Sequence, residues 1–130
     1  MVQSWLPALD GAVAKLETGT KVAETGLHDM GDPAGSATHI ATLLEPDASW
    51  MIVEPIAADQ PENNLGPISR LHYNASTMIG VPTSLDQEVG LALGVQAGEA
   101  RVANLLAGAG FSRVRRAAEG PFNMVLEARL

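Results

Sequence analysis

The sequence predicts an α/β domain whose sheet has about four strands, with helices on both faces and an antiparallel hairpin at the C-terminal end. The apolar run WMIV at residues 50–53 is bounded by turns and does not alternate. Such a run is typical of a strand covered on both faces, as in a parallel sheet. Near the end of the chain, two strand-like segments at residues 111–119 and 122–128 are separated by Gly120 and Pro121, which predicts the hairpin.

Before the apolar run, the pattern predicts two helices and a short strand. Ser4 can cap a first helix, because apolar residues recur after it at helical spacing: Trp5, Leu6, Leu9, Val13 and Leu16. Residues 21–24 have room for a short strand. Asp32 followed by Pro33 is a typical helix start, an N-cap before a proline at the first helical position. This second helix should run to about Leu44.

After the apolar run, the pattern predicts a loop and two or three further helices. Residues 57–66 are polar and rich in turn formers, so they should form a loop. A third helix is predicted over residues 67–79, with its apolar side formed by Ile68, Leu71, Ala75 and Met78. Ser84 should cap a short helical segment, and residues 99–109 should form a helix that ends at Gly110.

The composition excludes several partners and chemistries. A net charge of −7 argues against nucleic acid or an anionic membrane as a general partner, since both require clustered cations. The one basic cluster, Arg113, Arg115 and Arg116, is expected on the exposed face of a strand. The chain has no cysteine, which excludes disulfides, thiolate metal sites and cysteine nucleophiles. The sequence shows no secretory signal pattern and no run of about 18 apolar residues, so we expect a cytoplasmic protein.

Two features resemble small-molecule methyltransferases that use S-adenosylmethionine. One is LHDMGDP at residues 27–33, followed by MIVEP at residues 51–55; the other is AGF at residues 109–111, before the closing hairpin. In this family a Leu-His-Asp segment follows the fourth strand, Val-Glu ends the fifth, and Ala-Gly-Phe precedes the sixth. Over residues 27–130 the chain is similar to the C-terminal half of a class I methyltransferase of the O-methyltransferase type. The resemblance implies one domain, residues 1–130, with a truncated Rossmann-like sheet.

The cofactor-binding middle segment of that family has no counterpart in this sequence. In the family the first strand runs into a glycine-rich loop that holds the cofactor, and three further strands follow. Here Glu24, Thr25 and Gly26 lead directly into Leu27 and His28. The resemblance therefore leaves Glu24 and Gly26 at the cofactor-binding position, where a single glycine cannot form a backbone nest before a helix N-terminus. We expect no resident cofactor, with S-adenosylmethionine as the alternative.

A sheet shortened in this way should have an unpaired edge. Unpaired strand edges expose backbone groups and apolar faces, and proteins usually cover or pair them. We therefore expect a homodimer, closed through that edge or through swapped helices, that binds a small apolar molecule.

Three residues are candidates for catalysis. By resemblance, His28 stands where a histidine takes a proton from the substrate hydroxyl in plant-type O-methyltransferases, and imidazole titrates near neutral pH. Glu54 stands where a glutamate orients that histidine, at the end of a strand where such folds bind ligands. Asp29 is the adjacent acid. The structural alternatives are that His28 caps a helix or bonds within its loop, that Glu54 forms a salt bridge or a cap, and that Asp32 is an N-cap.

The predicted substrate-binding side chains lie beside this group and on the third helix: Met30, Leu71, His72, Tyr73 and Met78. In the family this helix lines the substrate pocket, whereas the structural alternative makes His72 an exposed helix residue. His28, Asp29, Asp32 and Glu54 include ligand types for zinc or a divalent cation. Their spacing matches no established site, so no metal is predicted.

Three functions remain open. The first is a dimeric small-molecule-binding domain, derived from a methyltransferase, that has lost autonomous S-adenosylmethionine binding. The second is a small acid–base or hydrolytic enzyme that uses His28 and Glu54; it would differ from standard serine hydrolases, because no Gly-x-Ser-x-Gly motif is present. The third is methyl transfer with the cofactor held across a dimer interface.

Overall fold

A computed structural model describes residues 26–130. The helices of this part are α1 (Pro33–Leu43), α2 (Pro67–Ala75), α3 (Val81–Leu85) and α4 (Gly98–Gly108). Its strands are β1 (Ser49–Pro55), β2 (Arg113–Glu119) and β3 (Asn123–Arg129). The mixed α/β class is therefore confirmed. The described part contains three of the roughly four predicted strands, and the predicted first helix and the strand at residues 21–24 lie outside it.

The three strands form one sheet in the order β1-β3-β2, with β3 antiparallel to both neighbours. The predicted C-terminal hairpin is confirmed as β2–β3, with a bulge between Arg116 and Ala118. The parallel pairing expected for the run at residues 50–53 is not what these strands form. β3 runs antiparallel to β2 because a tight turn joins the two strands, and it is also antiparallel to β1, its other neighbour. Ile52 and Arg116 consequently lie on either side of Leu126.

Both faces of β1 are covered, as the continuous apolar run predicted. On one face Trp50 and Ile52 join the main core, in which α1 contributes Ala37 and α4 contributes Leu106. The ring centroids of Trp50 and Phe111 lie 5.4 Å apart in that core. On the opposite face a second cluster is built from Met51 and Val125, with Val53 and Ala118 packed against it. Burial on both faces removes a strand's alternation, since every side chain then contacts apolar neighbours.

The predicted boundaries of two helices are confirmed. The Asp32 carboxylate accepts the backbone N–H of Gly35 at 2.8 Å, and Pro33 follows at the first helical position of α1. At the end of α4, Gly110 has a φ of 100°, a conformation that glycine adopts without strain.

The third helix differs from its prediction. After α2 the chain makes a π-helical turn (Ser76–Gly80) and continues into α3, and the predicted apolar side is not the packed side. Leu71 is 56% exposed and Met78 is 77% exposed, whereas His72 is only 8% exposed. The opposite side is packed because the following loop bonds to it. Val95 donates its N–H to the Ser76 hydroxyl at 3.1 Å, and Gln96 donates its amide to the Ser69 carbonyl at 3.1 Å.

The short helix predicted after Ser84 is absent from the described residues that follow α3. Ser84 lies within α3, and the chain beyond it turns at Val89 and Gly90, whose φ angles are 76° and 61°. These left-handed conformations are incompatible with a continuing right-handed helix. The segment is instead a loop that packs beside the residues preceding α1. There Leu91 donates its N–H to the carbonyl of Gly31 at 2.9 Å.

The basic cluster is paired rather than simply exposed. Arg115 forms an ion pair with the buried Glu127 on β3. Arg116 bonds to Glu99 and to Glu119, each at 2.8 Å. Its guanidinium is partly neutralised by these carboxylates, so the cluster presents less free positive charge than its sequence suggests. None of the helices formed by residues 26–130 has both the length and the apolar character needed to cross a bilayer.

Candidate active site

The site is built on a short loop, residues 26–31, which we call the His28 loop. A single 3₁₀ turn, Leu27–Asp29, forms its centre. The Leu27 side chain is fully buried in the main core and ties the loop to the sheet. The Leu27 backbone N–H donates to Oε1 of Glu54 at 2.5 Å. Apolar burial and this hydrogen bond together place His28 directly beside the end of β1.

The carboxylate of Glu54 bonds to the imidazole of His28. This carboxylate is 2% exposed, and its Oε2 lies 2.7 Å from Nδ1 of His28. With Oε1 bonded to Leu27, both carboxylate oxygens have a partner, so the side chain is satisfied despite its burial. A carboxylate at Nδ1 selects the tautomer that carries the proton on that nitrogen. The structure thus brings together His28 and Glu54, which are 26 residues apart in the chain.

Asp29 lies at the other side of the same ring. Its Oδ2 is 3.2 Å from Nε2 of His28, and its side chain is 49% exposed. A Cβ atom at Gly80 would lie 2.8 Å from Oδ1 of Asp29, so the glycine of the π-helical turn leaves space for this carboxylate. His28 is therefore flanked by one buried and one half-exposed carboxylate.

The environment raises the pKa of His28 above its ordinary value of about 6.5. Burial of the ring lowers the pKa of His28. Three effects in sum outweigh this: the hydrogen bond to Glu54, the negative charge of Glu54 and the negative charge of Asp29. The imidazolium is thus favoured while both carboxylates face the ring. In the neutral tautomer with Nδ1–H bonded to Glu54, the lone pair of Nε2 would point at Asp29. A ligand hydroxyl that displaces the Asp29 carboxylate would find that lone pair available as a proton acceptor.

Of the two predicted cofactor-binding residues, Gly26 belongs to this loop and Glu24 lies outside the described residues. A Cβ atom at Gly26 would lie 3.2 Å from Cε1 of His28. In this structure the glycine therefore makes room for the imidazole.

Met30 lies in an open groove of about 490 Å³ beside the His28 loop. The groove is lined by Leu27, Met30, Asp32, Gly35, Ser36, His39, Ile40 and Trp50. The other predicted substrate-binding residues are not among these. Leu71, Tyr73 and Met78 are exposed along α2 and the π-helical turn, and His72 is buried under the following loop. The groove that contains Met30 is therefore not lined by the helix residues that were expected to share its pocket.

Among residues 26–130, no group of three or more His, Asp or Glu side chains is arranged to hold a metal ion. Both ring nitrogens of His28 already face carboxylates, and Asp32 is occupied as the N-cap of α1. Gln87 and Ser84 bond to the backbone of the His28 loop, although the sequence predicted Ser84 only as a helix cap and Gln87 not at all. No motif marks either residue, because their partners lie more than fifty residues earlier in the chain.

The fold of this chain is similar to part of several solved O-methyltransferase structures. No protein-family model matches the chain, and no curated protein matches it. Among solved structures, methyltransferase CalO6 is 18% identical with a TM-score of 0.55, covering 90% of this chain and 38% of that chain. An O-methyltransferase family protein from Burkholderia thailandensis is 19% identical with a TM-score of 0.53, covering 91% and 32%. A protein of Nostoc punctiforme assigned as an O-methyltransferase is 14% identical with a TM-score of 0.51, covering 85% and 31%.

At these identities the likeness shows the fold alone. It confirms that this chain resembles part of an O-methyltransferase in its fold. The chain spans only 31–38% of the length of the three solved structures.

Proposed function

We propose that this chain is a methyltransferase-derived domain that binds a small, mainly apolar molecule carrying a hydroxyl group and does not hold S-adenosylmethionine on its own. The observation that carries the proposal is the buried hydrogen bond between His28 and Glu54. A carboxylate removed from solvent in this way costs free energy unless it is paired, and here it orients an imidazole whose far nitrogen faces a half-exposed acid. The pair therefore supports a polar contact with a ligand.

The chemistry of recognition follows from Nε2 of His28. When a hydroxyl replaces the Asp29 carboxylate at this nitrogen, the neutral imidazole accepts its hydrogen bond. If the proton transfers, the O–H bond breaks, an N–H bond forms on Nε2, and the positive ring remains bonded to Glu54. A phenol or another acidic hydroxyl suits this site best, because its anion would lie beside the imidazolium. The apolar side chains of Leu27 and Met30 in the adjoining groove suit an apolar ligand body.

The proposed loss of the cofactor is supported by the sequence at residues 24–28, where no glycine-rich loop follows the strand-like segment, and by Gly26, at which a Cβ atom would lie 3.2 Å from Cε1 of His28. The test is calorimetric titration of the chain with S-adenosylmethionine. We expect no heat of binding at micromolar concentrations. Micromolar binding would contradict this part of the proposal and would favour methyl transfer with the cofactor held across a dimer interface.

A second candidate function is acid–base or hydrolytic catalysis, favoured by the raised pKa of His28 and its orientation by Glu54. The test is a panel of chromogenic esters and phosphoesters with the wild-type chain and His28→Ala. A control is Glu62→Ala, which removes an exposed acidic side chain outside the groove and outside the His28–Glu54 pair. If the wild type turns over a substrate, we expect the activity to fall at least about 100-fold in His28→Ala and to persist in Glu62→Ala. Equal activity in all three would remove His28 from any mechanism.

A homodimer is the oligomeric state that we propose. Within the described sheet, β1 is an outer strand with β3 on one side only. An unpaired strand edge favours association with a second copy. Size-exclusion chromatography with light scattering should give the mass of two chains at tens of micromolar. A monomer under these conditions would contradict the proposal.

A further inference from the structure

Gln87 lies two residues after α3 and bonds to the backbone of the His28 loop in two places. Its Oε1 accepts the N–H of Gly31 at 2.8 Å. Its Nε2 donates to the carbonyl of Asp29 at 3.0 Å and to the carbonyl of Thr83 at 3.1 Å. Both amide hydrogens and the amide oxygen are thus engaged. One side chain connects the last turn of α3 to the two residues on either side of Met30.

The approach of Gln87 to the loop is close enough to require a glycine. A Cβ atom at Gly31 would lie 2.4 Å from Cβ of Gln87 and 2.9 Å from the carbonyl oxygen of Glu88. No side chain at position 31 fits there without a backbone shift. The glycine therefore permits the two hydrogen bonds of Gln87 rather than merely forming a turn.

The middle of the loop is held from the same side. Ser84 donates its hydroxyl to the carbonyl of Met30 at 2.6 Å and accepts the N–H of Ala92 at 3.0 Å. Gly31 accepts the N–H of Leu91 through its carbonyl at 2.9 Å. Three successive carbonyls, those of Asp29, Met30 and Gly31, are thus bonded to residues 84–91. Such a set of bonds fixes the backbone dihedrals of the loop.

From this geometry we infer that Gln87 is a positioning residue of the proposed site: through the backbone of Asp29, it holds the Asp29 carboxylate at Nε2 of His28. The inference rests on the proposed function of His28. The position of the Asp29 carboxylate depends on two features: the Asp29 backbone, which Gln87 holds, and the space that Gly80 leaves beside it. Glu54 is positioned independently, because its place is set by β1 and by the N–H of Leu27. Gln87 thus controls one of the two carboxylates that face the ring and leaves the other in place.

A purely structural role is the competing explanation. The bond from Gln87 to the Thr83 carbonyl closes the end of α3, and loss of that bond alone would reduce stability without altering His28. The two explanations differ in one measurable quantity, which is the effect of the Asp29 charge on the pKa of His28. Among residues 26–130, the charged groups that face the ring are Glu54 from β1 and Asp29 from the loop.

The experiment compares the pKa of His28, followed by NMR titration of its ring resonances, in four versions of the 130-residue chain: wild type, Asp29→Asn, Gln87→Met, and the double variant. Gln87→Met keeps the side-chain length but removes the amide. In the wild-type background, Asp29→Asn should lower the pKa of His28, since it removes a facing negative charge. In the Gln87→Met background, the same substitution should have less than half of that effect, because the carboxylate is no longer held at Nε2. An equal effect in both backgrounds would overturn the inference.

Two further variants keep the test decisive. If Gln87→Met does not fold, Gln87→Glu replaces it: a carboxylate can accept from Gly31 but cannot donate to Asp29, so the same weakened coupling is expected. The matched control is Gln96→Ala, which removes a glutamine whose amide bonds to a backbone carbonyl away from the loop. It should leave the effect of Asp29→Asn unchanged, and a reduced effect in this control would also overturn the inference.

This test is separable from the proposed function. The coupling is measured without substrate, so a failure of ligand binding or turnover leaves the titration interpretable. Conversely, an unchanged coupling would remove Gln87 from the site while leaving the role of His28 and Glu54 intact.

Discussion

Nδ1 of His28 lies 2.7 Å from Oε2 of Glu54, and this contact joins the His28 loop to the end of β1. The two groups reach each other because Leu27 is buried in the core and donates its N–H to the second oxygen of the same carboxylate. The carboxylate is 2% exposed, so its charge acts on the imidazole with little screening by water. Together with the Asp29 carboxylate, this contact favours the protonated imidazole.

Replacing Glu54 by Gln should destabilise the protein more at low pH than at high pH. The folded state raises the pKa of His28 above its unfolded value, so it binds the proton more tightly. That contribution is fully present below the unfolded pKa of about 6.5 and is lost as the pH rises through the higher folded pKa. Loss of this charge-assisted bond should cost about 1.5–3 kcal/mol. Urea unfolding at about pH 5.5 and about pH 9 measures the difference.

The control for this prediction is Glu119→Gln. Glu119 is an exposed carboxylate paired with Arg116, so its replacement should change the free energy of unfolding by less than about 1 kcal/mol. A cost of Glu54→Gln that is the same at both pH values would show that His28 and Glu54 are not linked through a proton.

Asp29→Asn should lower the pKa of His28 and increase the fraction of neutral imidazole near pH 7. The substitution removes a negative charge 3.2 Å from Nε2 while keeping the size of the side chain. Because Asp29 is half exposed, the free energy of unfolding should change by less than about 1 kcal/mol. NMR titration of His28 and thermal unfolding test the two parts. A pKa that stays constant would mean that the Asp29 carboxylate does not face the ring in solution.

Gly31→Ala should destabilise the fold, whereas Gly108→Ala should not. The added methyl group at position 31 would meet Gln87 at 2.4 Å, and the required backbone shift should cost about 1–3 kcal/mol. A methyl group at Gly108 meets no atom within 4 Å, and alanine is the better helix former by about 1 kcal/mol. Urea unfolding of the two variants should therefore give changes of opposite sign. Equal stabilities would contradict the close approach of Gln87 to the loop.

Asp32→Ala should lower the free energy of unfolding by about 1 kcal/mol, because α1 loses the oxygen that accepts the N–H of Gly35. Asp32→Ser should retain most of that stability, since a serine hydroxyl can serve as the same cap. Thermal unfolding compares the three proteins. If serine is no better than alanine, Asp32 contributes through something other than capping.

Much of the local structure was predictable from the sequence. Asp32 and Pro33 begin α1, Gly110 follows the end of α4, and the hairpin turns between residues 119 and 123, because each of these depends on nearby residues. The covering of β1 on both faces was also readable, since it leaves an unbroken apolar run. The pairing of His28 with Glu54 followed from a resemblance, as no local pattern connects the two residues.

What the sequence determined by itself was therefore the kind of most elements within residues 26–130, the N-cap of α1 and the glycine that follows α4. Tertiary structure alone decided that β3 lies between β1 and β2, that His72 rather than Leu71 faces the interior, and that Gln87 bonds to Asp29 and Gly31. The physical reason is distance along the chain. The bonds of Gln87 join residues 56 and 58 positions apart, and such contacts depend on how whole elements pack, which no short segment encodes.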